Sequence, residues 1–360
     1  MLRRIILFFI IITAMGFFVF SNHRIEAENL KTFSRQGFLM DTVVQISINI
    51  GENSELISSA DKILDTAFNI LTSIDSLLSM YNPESEISKV NSKSGIAPLK
   101  VNSMTFEAVS EAKKYHTLTK GVFNPLIGSV TKLWKIGQKN KDASFDRAPS
   151  KSELDNAIKL SDINNLELLD SDSKEIFLKS KGSVIDLSGI AKGFASQKIS
   201  EYLLKSGISS ALINLGGNIQ VIGKNKRNQN WVIGIRNPLS PSGKTAMILN
   251  VTDCAVITSG NYERYRTING KKYSHFFDPS SGQSVNSDLL SVTLISEDGT
   301  LADALATSFM IMGFEKSKEI IEKTGAKAIF IQNTNDGARI YVNESLKNII
   351  KESEFPVIYY

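Results

Sequence analysis

"SALINLGGNIQVIG", residues 210–223, carries two apolar, β-branched runs with only Gly216 and Gly217 between them, so two strands follow one another with no helix to carry the chain across a sheet. The same reading extends in both directions. "WVIGIRNP" (231–238), "AMILNV" (246–251) and "AVITSG" (255–260) come next, and "LLSVTLIS" (289–296), "AKAIFIQ" (326–332) and "ARIYVN" (338–343) follow later. "SVIDLS" (183–188) reads as a further strand upstream. Strands that succeed one another without crossover helices pair antiparallel, so the class is α+β, with mainly antiparallel sheets and flanking helices.

Helical spacing appears elsewhere. Residues 55–81 repeat apolar side chains at three and four, the pattern of a long amphipathic helix. Residues 104–119 and 150–160 read the same way, the second with Ser150 or Ser152 as its N-cap. At 42% hydrophobic and 22% charged, the 360 residues have ordinary globular composition, which argues against disorder. No Pro-, Ser- or Gly-rich linker interrupts the periodic segments after about residue 35, so residues 28–360 are expected to fold as one body. The net charge of +4 is spread thinly, and "GKNKRNQN" (223–230) reads as a solvated hairpin tip. Without a basic face carrying interleaved aromatics, no nucleic-acid partner is expected.

Residues 1–27 are a separate matter. Arg3 and Arg4 precede an uncharged run from Ile5 to Asn22, the pattern of a signal peptide or an N-terminal membrane anchor. Either way the arginines favour a cytoplasmic N-terminus, and the body is expected on the outer face of a bacterial cytoplasmic membrane or in the periplasm. The sole cysteine, Cys254, lies in an apolar stretch and reads as buried core, so no internal disulfide forms.

Three stretches carry chemical options. In "VIDLSGIAKGFASQKISEYLLKSGI" (184–208) a strand is expected to end at Asp186, followed by a turn with Gly189 and a helix carrying Lys192 and Gly193. Backbone N–H groups at such a turn can hold phosphate; alternatively the glycines only permit close packing. In "DGTLADALATSFMIMG" (298–313), Asp303 and Thr307 stand four apart on one helical face, a pair suited to a hard cation. The bland alternative is a capping box, Thr300 with Asp303 three later. His23, His116 and His275 are scattered, which sets aside a nitrogen- or sulfur-ligated metal in favour of Mg²⁺ or Ca²⁺. The third stretch pairs "SGNYERY" (259–265) with "YSHFFDPSSG" (273–282), and His275 in it is either a base or a strand-end histidine hydrogen-bonded within its turn.

In order, "FLMDTVVQI", "SMYNPESEISKVN", "KGVFNPLIGSVTKLW", "DLSGIAKGFA", "INLGGNIQVIG", "TSGNYERY", "YSHFFDPSSG" and "ADALATSFMIMG" make the chain resemble the ApbE family of FAD:protein FMN transferases from about residue 36 to about 315. The resemblance implies a Mg²⁺-dependent enzyme that splits the FAD pyrophosphate and attaches FMN, through a phosphoester, to a threonine or serine of an acceptor protein, releasing AMP. It also implies acceptors that are membrane-associated redox subunits. By the same resemblance Met40 and Tyr81 fall on flavin-contacting positions, Phe123 and Asn124 on the adenosine-side segment, and Asp186 and Lys192 on FAD contacts. The Gly189 carbonyl, Asp303 and Thr307 match the Mg²⁺ ligands, His275 the base for the acceptor hydroxyl, and Phe276 a position beside the cofactor. Ser259, Asn261 and Tyr262 are expected to wall the same site. Three departures stand out: Met40-Asp41-Thr42 replaces the family's usual Met-Gly-Thr, Asn124 stands where aspartate is frequent, and "DPSSG" (278–282) lacks the arginine often seen before the turn's end. FAD pyrophosphatase activity and turnover-free flavin carriage are the alternative readings.

Overall fold

Val44, Ile46 and Ile48 are fully buried while Val43 and Gln45 between them face out, the two-residue period of a strand with one face on a core. In the computed structural model this strand, β2 (Thr42–Gly51), pairs with β1 (Leu30–Leu39) across a two-residue turn, Met40-Asp41. Residues 29–136, 147–240, 242–262 and 264–360 are described. The leader expected over 1–27 therefore lies outside the described residues.

Seven more strands complete the sheet: β3 (Ala211–Leu215), β4 (Asn218–Ile222), β5 (Cys254–Gly260), β6 (Leu289–Ser296), β7 (Lys327–Thr334), β8 (Gly337–Val342) and β9 (Val357–Tyr359). They lie side by side in chain order, antiparallel at every step except β8–β9. The 210–223 stretch forms the β3–β4 hairpin, its turn closed by Gly216 and Gly217 at positive φ. The expected α+β class with antiparallel sheets is what the chain adopts.

The long excursion between β2 and β3 carries α1 (Ala60–Leu78), α2 (Glu86–Ser92), α3 (Ser103–Leu118), α4 (Gly128–Trp134), α5 (Lys151–Leu160) and α6 (Ala191–Lys205). On α1 the buried residues Ile63, Leu64, Ala67, Leu71, Ile74 and Leu78 keep helical spacing, and they pack in one core with Val44, Ile46 and Ile48. Each large side chain so buried contributes on the order of 1.5–3 kcal/mol. Ser150 caps α5 in a full capping box with Glu153.

Between β6 and β7 runs α7 (Gly299–Thr324), interrupted at Gly313, where φ 81° and ψ 168° break the helix. Ala255 and Ile257 of β5 face α7, while Cys254 and Val256 face the opposite way, against a small sheet of strands Trp231–Arg236, Thr245–Val251 and Ile350–Ser353. The large sheet is thus a middle layer. Among the described residues no helix is long and apolar enough to cross a membrane.

"SVIDLS" is not a strand. Val184, Ile185 and Leu187 are buried as a strand's would be, but only Val184 makes a bridge, to Ile127. The neighbouring backbone is satisfied by other groups: the Asn91 side chain bonds both Ile185 N–H and its carbonyl, and Asp186 N–H donates to the Pro125 carbonyl.

Candidate active site

The irregular segment ends at Asp186, a buried carboxylate whose two oxygens accept from Thr131 Oγ1 at 3.1 Å and Ser188 N–H at 2.9 Å. These bonds fix the turn that follows, and the chain enters α6 at Ala191. Helices α6 and α7 cross at their glycines. A Cβ on Gly193 would stand 2.2 Å from the Gly299 carbonyl oxygen and 2.6 Å from Asp303 Cβ, so only glycine permits the approach. The crossing brings Gly193 N–H to 2.8 Å from Asp303 Oδ2.

Asp303 does not cap its helix. Asp298 does, accepting from Thr300 N–H and Leu301 N–H, and Asp303 lies one turn further in, where the helix needs no cap. A buried carboxylate there requires compensation. Gly193 N–H provides part of it, with Asn218 Nδ2 at 3.5 Å from the other oxygen. One turn later Thr307 Oγ1 donates to the Gly189 carbonyl at 3.4 Å. A Cβ on Gly189 would lie 3.4 Å from that hydroxyl and 3.1 Å from the Phe123 ring, so the missing side chain leaves room beside the oxygens. Carboxylate, hydroxyl and carbonyl are all hard oxygen donors, the set Mg²⁺ takes. Among the described residues no three His, Cys, Asp or Glu side chains cluster.

Gly189, Lys192, Asp303 and Thr307 line one cleft with His275 and Arg264. The His275 ring sits 4.1 Å from that of Phe276, and its Nδ1 lies 3.0 Å from the Arg264 carbonyl oxygen. A carbonyl can only accept, so Nδ1 carries the proton and Nε2 keeps its lone pair. Burial is the main force pushing the His275 pKa down to about 4; the Arg264 carbonyl opposes it and the charges of Arg264 and Lys192 add to it. The imidazole is neutral at neutral pH. Among the described residues neither Lys192 nor Arg264 makes an ion pair, so the cleft presents two cations to an anionic substrate.

The other expected site residues divide. Tyr81, half exposed at the lip, lines the cleft with Phe123, Asn124, Asp186 and Phe276. The Asn124 amide is also structural, donating to the Ser161 carbonyl and accepting from Leu126 N–H. Met40 is not among the lining residues; it occupies the β1–β2 turn, its N–H 3.2 Å from Asp75 Oδ2. Of the expected wall, Ser259 lines the cleft. Asn261 instead faces a separate notch and ties to the Leu289 carbonyl, and Tyr262 stacks under Arg236. Arg264 escaped sequence reading, since an arginine in a polar turn follows no period; its place between Tyr262 and the strand before His275 was the available signal. Thr131 and Ser188 were missed likewise.

Comparison with known proteins adds the chemistry. A model of the ApbE family matches residues 40–330. An FAD:protein FMN transferase of Treponema pallidum is 31% identical over 317 residues, 84% of this chain and 85% of that protein. One of Vibrio cholerae is 30% identical, over 79% of this chain and 83% of that protein. Among solved structures, the flavin transferase ApbE from Vibrio cholerae superposes with a TM-score of 0.76 at 26% identity, covering 89% of this chain and 99% of its own. The ApbE protein of Thermotoga maritima does so with a TM-score of 0.78 at 27% identity, over 89% and 100%.

Proposed function

The chain belongs to the ApbE family, whose relatives named above transfer FMN from FAD to protein, and from that premise we propose that it attaches FMN to a threonine or serine hydroxyl of an acceptor protein. The bond formed joins the acceptor oxygen to the FMN phosphorus; the bond broken is the pyrophosphate P–O bond, and AMP leaves with its electron pair. The observation that carries this reading is the convergence in one cleft of a neutral histidine with a proton-accepting Nε2, two cations without ion pairs among the described residues, and an oxygen donor set.

The residues divide the work. His275 Nε2 takes the proton of the acceptor hydroxyl as its oxygen attacks. Lys192 and Arg264 hold the pyrophosphate oxygens and offset their charge, which is most of what phosphoryl transfer asks of a protein. Tyr81, Phe123 and Phe276 offer aromatic surface to the rings of FAD. Asp303, Thr307 and the Gly189 carbonyl would hold Mg²⁺, which when bound neutralises phosphate charge and favours the leaving group.

Arg3, Arg4 and the apolar run after them support export to the outer face of a bacterial cytoplasmic membrane or the periplasm, with the leader cut or kept. The family resemblance supports acceptors among membrane-associated redox subunits there. Protease treatment of spheroplasts should digest the body; protection would place it in the cytoplasm.

The transfer reading is tested by incubating the protein with FAD and Mg²⁺, with and without an acceptor domain, and measuring AMP. Acceptor-dependent AMP supports transfer. Equal AMP without acceptor marks a pyrophosphatase, and bound FAD without AMP marks a carrier.

A further inference from the structure

The described residues begin at one end of the large sheet, and the cleft lies at the other. Asn29, whose carbonyl accepts from Glu52 N–H at 2.9 Å, stands where β1 begins and β2 ends. The register carries that end across the sheet: Ile48 of β2 lies opposite Ala211, where β3 begins, and Ala211 opposite Ile222, where β4 ends. At the far end Val44 lies opposite Leu215 and Leu215 opposite Asn218, whose Oδ1 accepts at 3.4 Å from the N–H of Thr258, a cleft-lining residue. Val44 and Gly51 are seven residues apart on β2, about 23 Å at the rise of a strand.

A cationic hairpin tip shares the end where β1 begins. "GKNKRNQN" (223–230) continues from β4 with Lys224, Lys226 and Arg227 exposed and no acid. Among the described residues none of the three makes an ion pair. The tip is pinned: Asn225 accepts from the N–H groups of Arg227 and Gln229 and donates to the Asn230 carbonyl, while the Gly223 carbonyl accepts from Trp231 Nε1 and Thr252 Oγ1. A relay of side chains ties it to β1. Thr32 Oγ1 donates to Asn49 Oδ1 at 2.7 Å, Asn49 Nδ2 to Ser210 Oγ at 2.8 Å, and Ser210 Oγ to the Lys224 carbonyl at 2.5 Å. Three strand spacings, roughly 14 Å, thus separate the tip from the start of β1. Of the nearby carboxylates, Asp253 is taken up by Gly223 N–H and Thr252 Oγ1, and Glu52 and Glu55 follow the end of β2, on the β1 side.

The apolar run of the leader ends at Asn22, seven residues before Asn29, and so short a stretch spans at most roughly 25 Å. A kept leader therefore holds this end of the sheet near lipid, where a fixed group of cations meets an anionic surface. We propose that the Lys224, Lys226 and Arg227 tip seats the body on anionic phospholipid headgroups, tip end down and cleft end away from the bilayer; this rests on the reading of residues 1–27 as an export leader. A hydroxyl that takes FMN must then be presented clear of the lipid, on an acceptor segment that stands off the membrane.

The test reconstitutes the full chain in nanodiscs of phosphatidylcholine alone or with phosphatidylglycerol. A nitroxide is placed on Gln229→Cys at the tip or on Val43→Cys at the cleft end, each in a Cys254→Ser background, and access of a water-soluble nickel chelate is read from spin relaxation. Phosphatidylglycerol should cut access at position 229 about threefold or more and leave position 43 unchanged, and added salt should restore access at 229. Lys226→Gln combined with Arg227→Gln should abolish the shielding, whereas Lys271→Gln combined with Lys272→Gln, in the hairpin that ends at His275, should keep it. Equal access at 229 in both kinds of disc, shielding of position 43 instead, or shielding that survives Lys226→Gln with Arg227→Gln overturns the seating. Failure of the export reading would look different: a body protected from protease in spheroplasts, whatever the discs show.

Discussion

The Nδ1 of His275 lies 3.0 Å from the backbone carbonyl of Arg264, and the backbone N–H of His275 donates to the same oxygen at 3.2 Å. One carbonyl thus fixes both the position and the tautomer of the ring, leaving Nε2 as a proton acceptor.

With the His275 pKa depressed to about 4 from its usual 6.5, Nε2 keeps its lone pair well below neutral pH. If His275 is the base, the acid limb of kcat/KM, which reports the free enzyme, should fall near pH 4. His275→Ala should lower transfer about 10²-fold or more while FAD affinity holds. Equal loss of both would mark a structural histidine.

The same shift makes a stability prediction. As pH falls below 6.5, unfolded chains take up this proton before folded ones, so the contribution of His275 is full above pH 6.5 and is lost progressively down to about pH 4. Urea midpoints of wild type and His275→Gln, compared from pH 7 to 4, should show a smaller fall in the variant; parallel curves would contradict the depressed pKa.

Asp303→Asn should leave the melting temperature nearly unchanged and raise the Mg²⁺ requirement steeply, because Asp298 caps the helix and Asp303 does not. Thr307→Val, which keeps shape and deletes the oxygen, should move the Mg²⁺ curve the same way. Wild-type Mg²⁺ curves in both variants would remove the oxygen set from the mechanism.

Gly193→Ala should cost roughly 2–4 kcal/mol in urea unfolding, since the new methyl meets backbone, the Gly299 carbonyl, which has no rotamer to yield. Activity should fall too, because parting the helices takes Gly193 N–H from Asp303. A variant within about 0.5 kcal/mol of wild type would mean that the crossing is loose.

The Met40-Asp41 turn places both residues at positive φ, 52° and 59°. Aspartate tolerates this conformation better than most residues, yet glycine adopts it without strain. Asp41→Gly should raise stability by up to roughly 1 kcal/mol; a loss in thermal unfolding would show that the carboxylate's contacts outweigh the strain.

What could be read beforehand followed periodicity. The Ser210–Gly223 hairpin and α1 announce themselves because burial of one face imposes a two- or three-to-four-residue repeat. "SVIDLS" misled because burial without a neighbouring strand looks identical in sequence; its partner Asn91 is 94 residues away. β1 was not read as a strand, since Lys31, Ser34, Arg35 and Gln36 leave it half exposed at the sheet edge. The site was legible mainly through family resemblance. Spacing placed Asp303 and Thr307 on one face, but only the fold brings Gly189 to them and shows that the cap is Asp298.

The most direct test of FMN transfer is the intact mass of an acceptor domain after incubation with the protein, FAD and Mg²⁺, alongside the same domain with its acceptor threonine changed to valine. The account predicts one FMN phosphoryl increment on the threonine form, none on the valine form, and one AMP released per increment. AMP formed with no mass gain on the threonine form would contradict it.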